Sequence, residues 1–140
     1  MELNQISADV VDSALAIHRK FGPGLLESVY ELILVTELRR RGHDVKSQVP
    51  ISFSYNGQQI ENAFRIDVLV DDQVIVELKS TEQNAPVYAK QLKTYLVLTD
   101  KKLGLLINFG MAFLKDGIKR VVHGEVPDLK NDSPCRRASV

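Results

Sequence analysis

Two carboxylates and a lysine interrupt an otherwise apolar stretch near the middle of the chain. Residues 65 to 80 read RIDVLVDDQVIVELKS, in which Asp67, Glu77 and Lys79 lie among valine, isoleucine and leucine. Charged side chains in a strand that enters a core are costly unless they are paired or bind something. Two carboxylates beside a lysine suit the binding of Mg²⁺ or Mn²⁺ and the positioning or deprotonation of a water. A hairpin with cross-strand charge pairs on a solvated face is the simpler alternative.

Whether the two carboxylates meet depends on the hairpin loop between their strands. A two-residue loop sends Glu77 to the face opposite Asp67, whereas a three-residue loop over residues 71–73 places these two side chains opposite each other. The three-residue loop also sets Arg65 opposite Lys79. Strict alternation along the first strand predicts one apolar face, made of Phe64, Ile66, Val68 and Val70.

Two helices are predicted before these strands. Apolar residues recur at helical spacing after Ser7, which predicts an N-cap at that serine and a helix that ends at the Gly22-Pro23-Gly24 break. A second helix is predicted from about Leu25 to Arg41, with Gly42 as its C-cap. Tyr30 is expected to pack in the core with its hydroxyl hydrogen-bonded.

The rest of the chain alternates between strand and helix patterns. Asn56-Gly57 predicts a hairpin turn, and a helix is predicted from about Pro86 to Leu98. Its inward-facing residues are predicted to be Val87, Leu92, Tyr95 and Leu96, with Val97 as a further candidate. The strands LGLLINF and IKRVVH follow. A helix between two neighbouring strands is a crossover, so we expect an α/β fold with helices covering a mixed sheet.

Composition indicates one soluble domain. The chain has 140 residues, 44% hydrophobic and 26% charged, with a formal net charge of zero, which argues against a basic coat protein but not against a local basic groove. We expect a domain over residues 1–124 and a flexible tail over 125–140. The single cysteine, Cys135, excludes a disulfide framework. No apolar run reaches the roughly 20 residues that span a bilayer, and no secretory signal is visible, so we expect a cytoplasmic protein without membrane association.

Several motifs in order resemble the PD-(D/E)XK nuclease superfamily. Asp67 is followed ten residues later by Glu77-Leu78-Lys79 at the end of the next strand, and Gln91 and Tyr95 form the Gln-x-x-x-Tyr motif of RecB-like members. Glu27 lies in an N-terminal helix, where many members keep an acidic residue. Isoleucine stands at position 66, where the superfamily name has proline.

A narrower resemblance rests on GLLESVY, residues 24–30, which reads Gly-x-x-Glu-x-x-Tyr. It is similar to the signature of the GxxExxY protein family, a small bacterial and archaeal group within the superfamily. The segments HRKFGPGLLESVYE, VPISFSYNGQQI, QLKTYL and LKDGIKR also resemble that family, and the resemblance covers about residues 8 to 122.

The resemblance implies a restriction-endonuclease-like αβββαβ core and a nuclease that hydrolyses phosphodiester bonds of DNA or RNA with Mg²⁺ or Mn²⁺. It implies Glu27, Asp67 and Glu77 as metal ligands. The implied catalytic set is Asp67, Glu77, Lys79, Gln91 and Tyr95. Candidate nucleic-acid contacts are Lys90, Lys93 and Arg65. A nuclease fold kept only for binding nucleic acid or protein is the alternative, and a partner protein or a homodimer is left open.

Two other residues have competing interpretations. His18 shares a helix face with apolar residues, where a histidine is more often a satisfied, half-buried residue than a ligand. Glu31, one helical turn after Glu27, is a candidate second acid or a solvated surface residue.

Overall fold

A mixed sheet lies between helices in the computed structural model, which describes residues 2–126. The elements are α1 (Leu3–Phe21), α2 (Glu27–Arg40), β1 (Val45–Tyr55), β2 (Gln58–Val70), β3 (Val74–Lys79), α3 (Pro86–Thr99), β4 (Leu103–Asn108), a short 3₁₀ helix (Leu114–Gly117) and β5 (Ile118–Val122). The predicted tail beyond residue 126 and Cys135 lie outside the described residues. No helix in residues 2–126 is long and apolar enough to cross a membrane.

The five strands follow the chain order across the sheet. All neighbours are antiparallel except β3 and β4, which are parallel and are joined by α3. This confirms the predicted crossover and the α/β class. From α2 to β4 the order is αβββαβ, as expected for a restriction-endonuclease-like fold.

Two apolar clusters cover the two faces of the sheet. The larger cluster joins α1 and α2 to the centre of the sheet through residues such as Val10, Leu34 and Leu105. The smaller cluster joins α3 to the opposite face through Leu92 and Leu96. All six residues of β4 are buried, because both faces of this central strand are covered.

The hairpin turns have the predicted lengths. Tyr55 pairs with Gln58 around the two-residue Asn56-Gly57 turn, and both turn residues have positive φ. Val70 pairs with Val74 around residues 71–73, so the three-residue loop is confirmed.

The helix ends show one wrong prediction and one confirmed prediction. α1 begins at Leu3, and Ser7 is a buried residue inside the helix, so its predicted role as the N-cap is wrong. The N-cap is Glu2 instead. Its carbonyl accepts the first backbone hydrogen bonds of the helix, and its N–H donates to the side-chain oxygen of Gln5. At the end of α2 the C-cap is Arg41, and Gly42 follows directly with φ 94° and donates its N–H to the Arg39 carbonyl, which confirms that this glycine closes the helix, one position beyond the cap.

The buried face of α3 is narrower than predicted. Leu92 and Leu96 are fully buried and Tyr95 is half-buried. Val87 and Val97 are 51% and 49% exposed, so their predicted inward orientation is wrong. The reason is that α3 packs on the sheet through one stripe four residues apart, which leaves its flanks in solvent.

Candidate active site

At Asp67, hydrogen bonds between side chain and backbone replace the backbone pairing of β2 with β3. Val68 pairs with Val76, so Asp67 and Glu77 occupy the next position of the register. The Leu78 N–H donates to Oδ2 of Asp67 at 2.9 Å, and the Asp67 N–H makes a long contact of 3.4 Å with Oε1 of Glu77. The two carboxylates therefore meet, as the three-residue loop predicts. The backbone pairing of the two strands stops at the same point, ending at Val68 and Val76, so the predicted position of Arg65 opposite Lys79 stays a prediction.

The faces of β2 change at the same point. Phe64 and Ile66 pack with the α3 cluster, whereas Val68 and Val70 pack with the α1–α2 cluster. The prediction that these four residues share one face is wrong. The irregularity extends into β1, where Gln48, beside Asp67, has φ 53°. A residue in that conformation breaks the alternation of side chains, so both strands rotate their faces together.

Glu77 is a buried carboxylic acid next to a second carboxylate. It is only 7% exposed. Burial, and then the charge of Asp67, raise the pKa of Glu77 to about 8, while the charge of Lys79 opposes this shift. Near neutral pH the two carboxyl groups therefore share less than two negative charges unless a cation joins them.

Glu27, the first residue of α2, lies within the electric field of the same group. Partial burial and the charge of Asp67 raise the pKa of Glu27, and Lys79 lowers it. Glu27 of α2 therefore interacts electrostatically with Asp67 of β2 and Lys79 of β3.

A set of polar contacts fixes the loop that delivers Glu27. The Tyr30 hydroxyl donates to the Gly22 carbonyl and accepts the Leu25 N–H at 3.1 Å, while its ring stacks on Phe109 with centroids 4.3 Å apart. This confirms the expected packing of Tyr30. Ser80, directly after β3, donates its hydroxyl to the Leu25 carbonyl at 2.9 Å, which ties the loop to the end of the lysine-bearing strand.

Lys79 contacts an aromatic residue that sequence reasoning did not single out. Its ammonium lies over the Tyr88 ring, 4.5 Å from the centroid. Tyr88 lies one turn before Gln91 on α3, and that spacing was the available signal. Tyr95 lies one turn further on, and its ring stacks on that of Phe64 with the centroids 4.1 Å apart.

Tyr95 and Gln91 differ in their contact with the site. Burial, then the charges of Glu77 and Asp67, raise the pKa of Tyr95, so its hydroxyl lies within the field of the acids. Gln91 is exposed, and its side chain has no hydrogen bond within residues 2–126. Its supporting role stays a prediction.

Gln48 is a second residue that sequence reasoning missed. Its Nε2 donates to Oε1 of Glu31 at 2.7 Å and makes a 3.4 Å contact with Oδ1 of Asp67. Burial is the largest cause that raises the pKa of Glu31, and the Gln48 hydrogen bond opposes it. Glu31 therefore belongs to the edge of the acidic group through Gln48.

The other candidates lie apart from the acids. Lys90 and Lys93 line a groove of about 550 Å³ between α3 and β5, and the Lys93 ammonium donates to the Val122 carbonyl. His18 forms a hydrogen bond through Nε2 with the Met111 carbonyl at 2.9 Å, as expected for a satisfied, half-buried histidine.

The donor chemistry fits a hard divalent cation. Among residues 2–126, no three His, Cys, Asp or Glu side chains are already arranged around one point as metal ligands. The contacting pair is Asp67 and Glu77, and Glu27 is close enough to Asp67 to interact with it electrostatically. Carboxylate oxygens suit Mg²⁺ or Mn²⁺, and a cation between the pair would relieve their repulsion.

Comparison with known proteins gives one match. The family model described as the PD-(D/E)XK nuclease superfamily matches residues 4–121. This range includes Glu27, Asp67 and Glu77 and all of the five strands except Val122, the last residue of β5. Searches of curated proteins and of solved structures returned no match. Nucleases of this superfamily generally use divalent metal ions. The chain belongs to the PD-(D/E)XK nuclease superfamily.

Proposed function

We propose that the chain is a Mg²⁺- or Mn²⁺-dependent nuclease that hydrolyses phosphodiester bonds of DNA, with RNA as the second substrate to test, and that it belongs to the GxxExxY group. One observation carries the proposal. The buried Glu77 carboxyl meets the half-buried Asp67 carboxyl where β2 and β3 part, and two carboxylates in contact repel each other unless a divalent cation or a proton lies between them.

Each residue of the proposed site has a separate role. Asp67, Glu77 and Glu27 would hold the cation, which supplies charge neutralisation at the phosphate and a more acidic water. Lys79, fixed against Tyr88, donates a hydrogen bond to the attacking water or to a non-bridging phosphate oxygen. Tyr95 and Gln91, on one face of α3, support the site and the nucleic-acid strand. Lys90 and Lys93 are proposed as more distant phosphate contacts, and Arg65 as a phosphate contact nearer to the acids.

The test compares cleavage by the native protein and two matched variants. Linear, circular and single-stranded DNA, and RNA, are incubated with Mg²⁺ or Mn²⁺, with EDTA as a control. Glu77→Gln keeps the shape of the buried side chain and removes its charge, so we expect a folded protein with cleavage lowered by at least about a thousandfold. Glu82→Gln makes the same chemical change at an exposed residue, and we expect it to cleave like the native protein.

Three results would contradict the proposal. Cleavage that survives in EDTA, or in Glu77→Gln, excludes the acid pair as the metal site. A native protein that binds nucleic acid but cleaves no substrate with either metal favours the alternative, a binding module on the nuclease fold.

A further inference from the structure

An open pocket of about 590 Å³ lies on the β1–β2 hairpin. Its walls are Gln48 and Pro50 of β1 and Asn62, Phe64 and Arg65 of β2. The volume falls in the range of small-molecule sites. The pocket combines amide, guanidinium and aromatic groups, and of these only Arg65 has been given a role in substrate binding above.

The pocket adjoins the acids through two of its walls. Gln48 contacts both Glu31 and Asp67 through one amide nitrogen. Phe64 stacks on Tyr95, whose hydroxyl lies within the field of the acids. A ligand in the pocket would therefore lie beside the reacting group rather than at a remote surface.

Two polar side chains in the pocket are available to a ligand. Arg65 and Asn62 are both exposed, and within residues 2–126 neither side chain has a hydrogen-bond partner in the protein. The Arg65 guanidinium suits a phosphate, and the Asn62 amide offers one donor and one acceptor to the edge of a base.

The backbone around the pocket is held in an uncommon conformation. Asn62 and Gln48 have φ 48° and 53°, and the β1–β2 register shifts between Ile51 and Phe53. The Asn62 N–H donates to the Ser52 hydroxyl at 2.9 Å, which holds this shift in place. A left-handed conformation is strained for residues other than glycine, and such strain is concentrated at functional sites.

These groups match an unpaired nucleotide. A base inside a duplex hides both its faces and its pairing edge, whereas an unpaired base presents them to aromatic and amide side chains. Phe64 and Pro50 offer apolar surface to the base, Asn62 and Gln48 offer amides to its edge, and Arg65 offers charge to its phosphate.

We propose that this pocket binds one unpaired nucleotide next to the phosphate that is cut, so that the substrate is a single strand or a duplex with a single-stranded flap. The position of the cut rests on the proposed nuclease function. The binding of the nucleotide does not, and it is measured separately.

The experiment measures binding of fluorescein-labelled single-stranded DNA and of the same sequence as a blunt duplex, by fluorescence anisotropy. All proteins carry Lys79→Ala and the buffer contains Mg²⁺, so that cleavage does not consume the probe. Arg65→Ala removes the charge from the pocket. Asn62→Gly removes the amide but tolerates the positive φ. Lys102→Ala is the control, because it removes one exposed charge at the other end of β3.

We expect single-stranded DNA to bind at least about tenfold more tightly than the duplex. Arg65→Ala should weaken single-strand binding about tenfold, and Asn62→Gly about threefold, as expected for loss of a charged and a neutral hydrogen bond. Lys102→Ala should change it by less than about twofold. Equal affinity for both probes, or a Lys102→Ala effect as large as that of Arg65→Ala, would overturn the proposal. The expected binding pattern without cleavage by the native protein would overturn the nuclease function alone.

Discussion

Asp67 and Glu77 are not interchangeable, because the length of each side chain suits the backbone N–H group that it reaches. Asp67 has a short side chain whose Oδ2 reaches the adjacent Leu78 N–H, and this contact replaces a backbone hydrogen bond of the sheet. Glu77 is longer and reaches back to the Asp67 N–H. Each carboxylate is therefore oriented by the other strand, which holds the pair ready before any ligand arrives.

The Tyr88 ring is predicted to orient Lys79, the proposed catalytic lysine. Replacing Tyr88 with leucine removes the cation–π contact, and we expect the single-turnover cleavage rate to fall about tenfold with little change in substrate affinity. Tyr88→Phe keeps the ring and should retain most of the rate. Equal rates for Tyr88→Leu and the native protein would show that the contact does not orient Lys79.

At this scale the sequence predicted the residues that belong to local patterns. Asp67, Glu77 and Lys79 stand out because charges in apolar strands are unusual. Gln48 and Tyr88 could not be found in the same way, since their roles depend on a backbone irregularity in β1 and on where α3 crosses the sheet.

Among the elements, the loop after β3 is held by one buried side chain. Oδ1 of Asn108 accepts the N–H groups of Thr81 and Gly110, both at 3.0 Å, and Nδ2 donates to Asn84 at 3.1 Å. Asn108 itself pairs with Lys79 across β3 and β4. The strand end that carries the lysine is thus tied to the central strand of the sheet.

This close packing predicts a large effect at Gly110. A Cβ at this position would lie 2.3 Å from the Thr81 carbonyl oxygen, so the backbone must shift. We expect Gly110→Ala to lower the free energy of unfolding by about 3 kcal/mol in urea titrations. Gly24→Ala is the control, because a Cβ there meets no atom within 4 Å, and its effect should stay within about 0.5 kcal/mol. Similar unfolding midpoints for both variants would refute the packing argument.

The type and order of the elements followed from apolar periodicity, while the errors arose where tertiary contacts override it. Ser7 is a good N-cap residue, but the chain before it continues the helix because Glu2 and Gln5 satisfy its first N–H groups. The face of β2 changes at Asp67 because the strand is irregular at the site, which no alternation rule anticipates.

Over the whole molecule, His43 joins three parts of the chain. Its buried ring contacts Asp9 of α1 and Asp71 of the β2–β3 turn, each at 2.6 Å. Burial alone would lower the pKa of His43, but the hydrogen bonds and charges of the two aspartates outweigh it and raise the pKa above 6.5. The protonated ring therefore stabilises the packing of α1 against the hairpin.

The sign of the pH dependence follows from that raised pKa. The stabilisation by His43 is fully present below pH 6.5 and is lost as the pH rises through the pKa of the folded protein. Ionisation of Glu77 also lowers the free energy of unfolding as the pH rises from 4.5 to about 8. The native protein is therefore compared with a His43 variant at each pH, so that the contribution of Glu77 cancels. We expect the gap in unfolding free energy between native protein and His43→Gln to shrink as the pH rises above neutral. His123→Gln, at a partly exposed histidine, should not show this change, and a constant gap for His43→Gln would exclude the mechanism.

The β1–β2 hairpin reaches beyond the core that holds the acids. Residues 58–63 are exposed, and around the Asn56-Gly57 turn the two strands pair only with each other. The length and sequence of this tip are therefore nearly independent of the packing that fixes Asp67 and Glu77. Insertions at the tip would extend the proposed substrate-binding surface without rebuilding the proposed reaction centre, so selectivity and chemistry could change separately in such a chain.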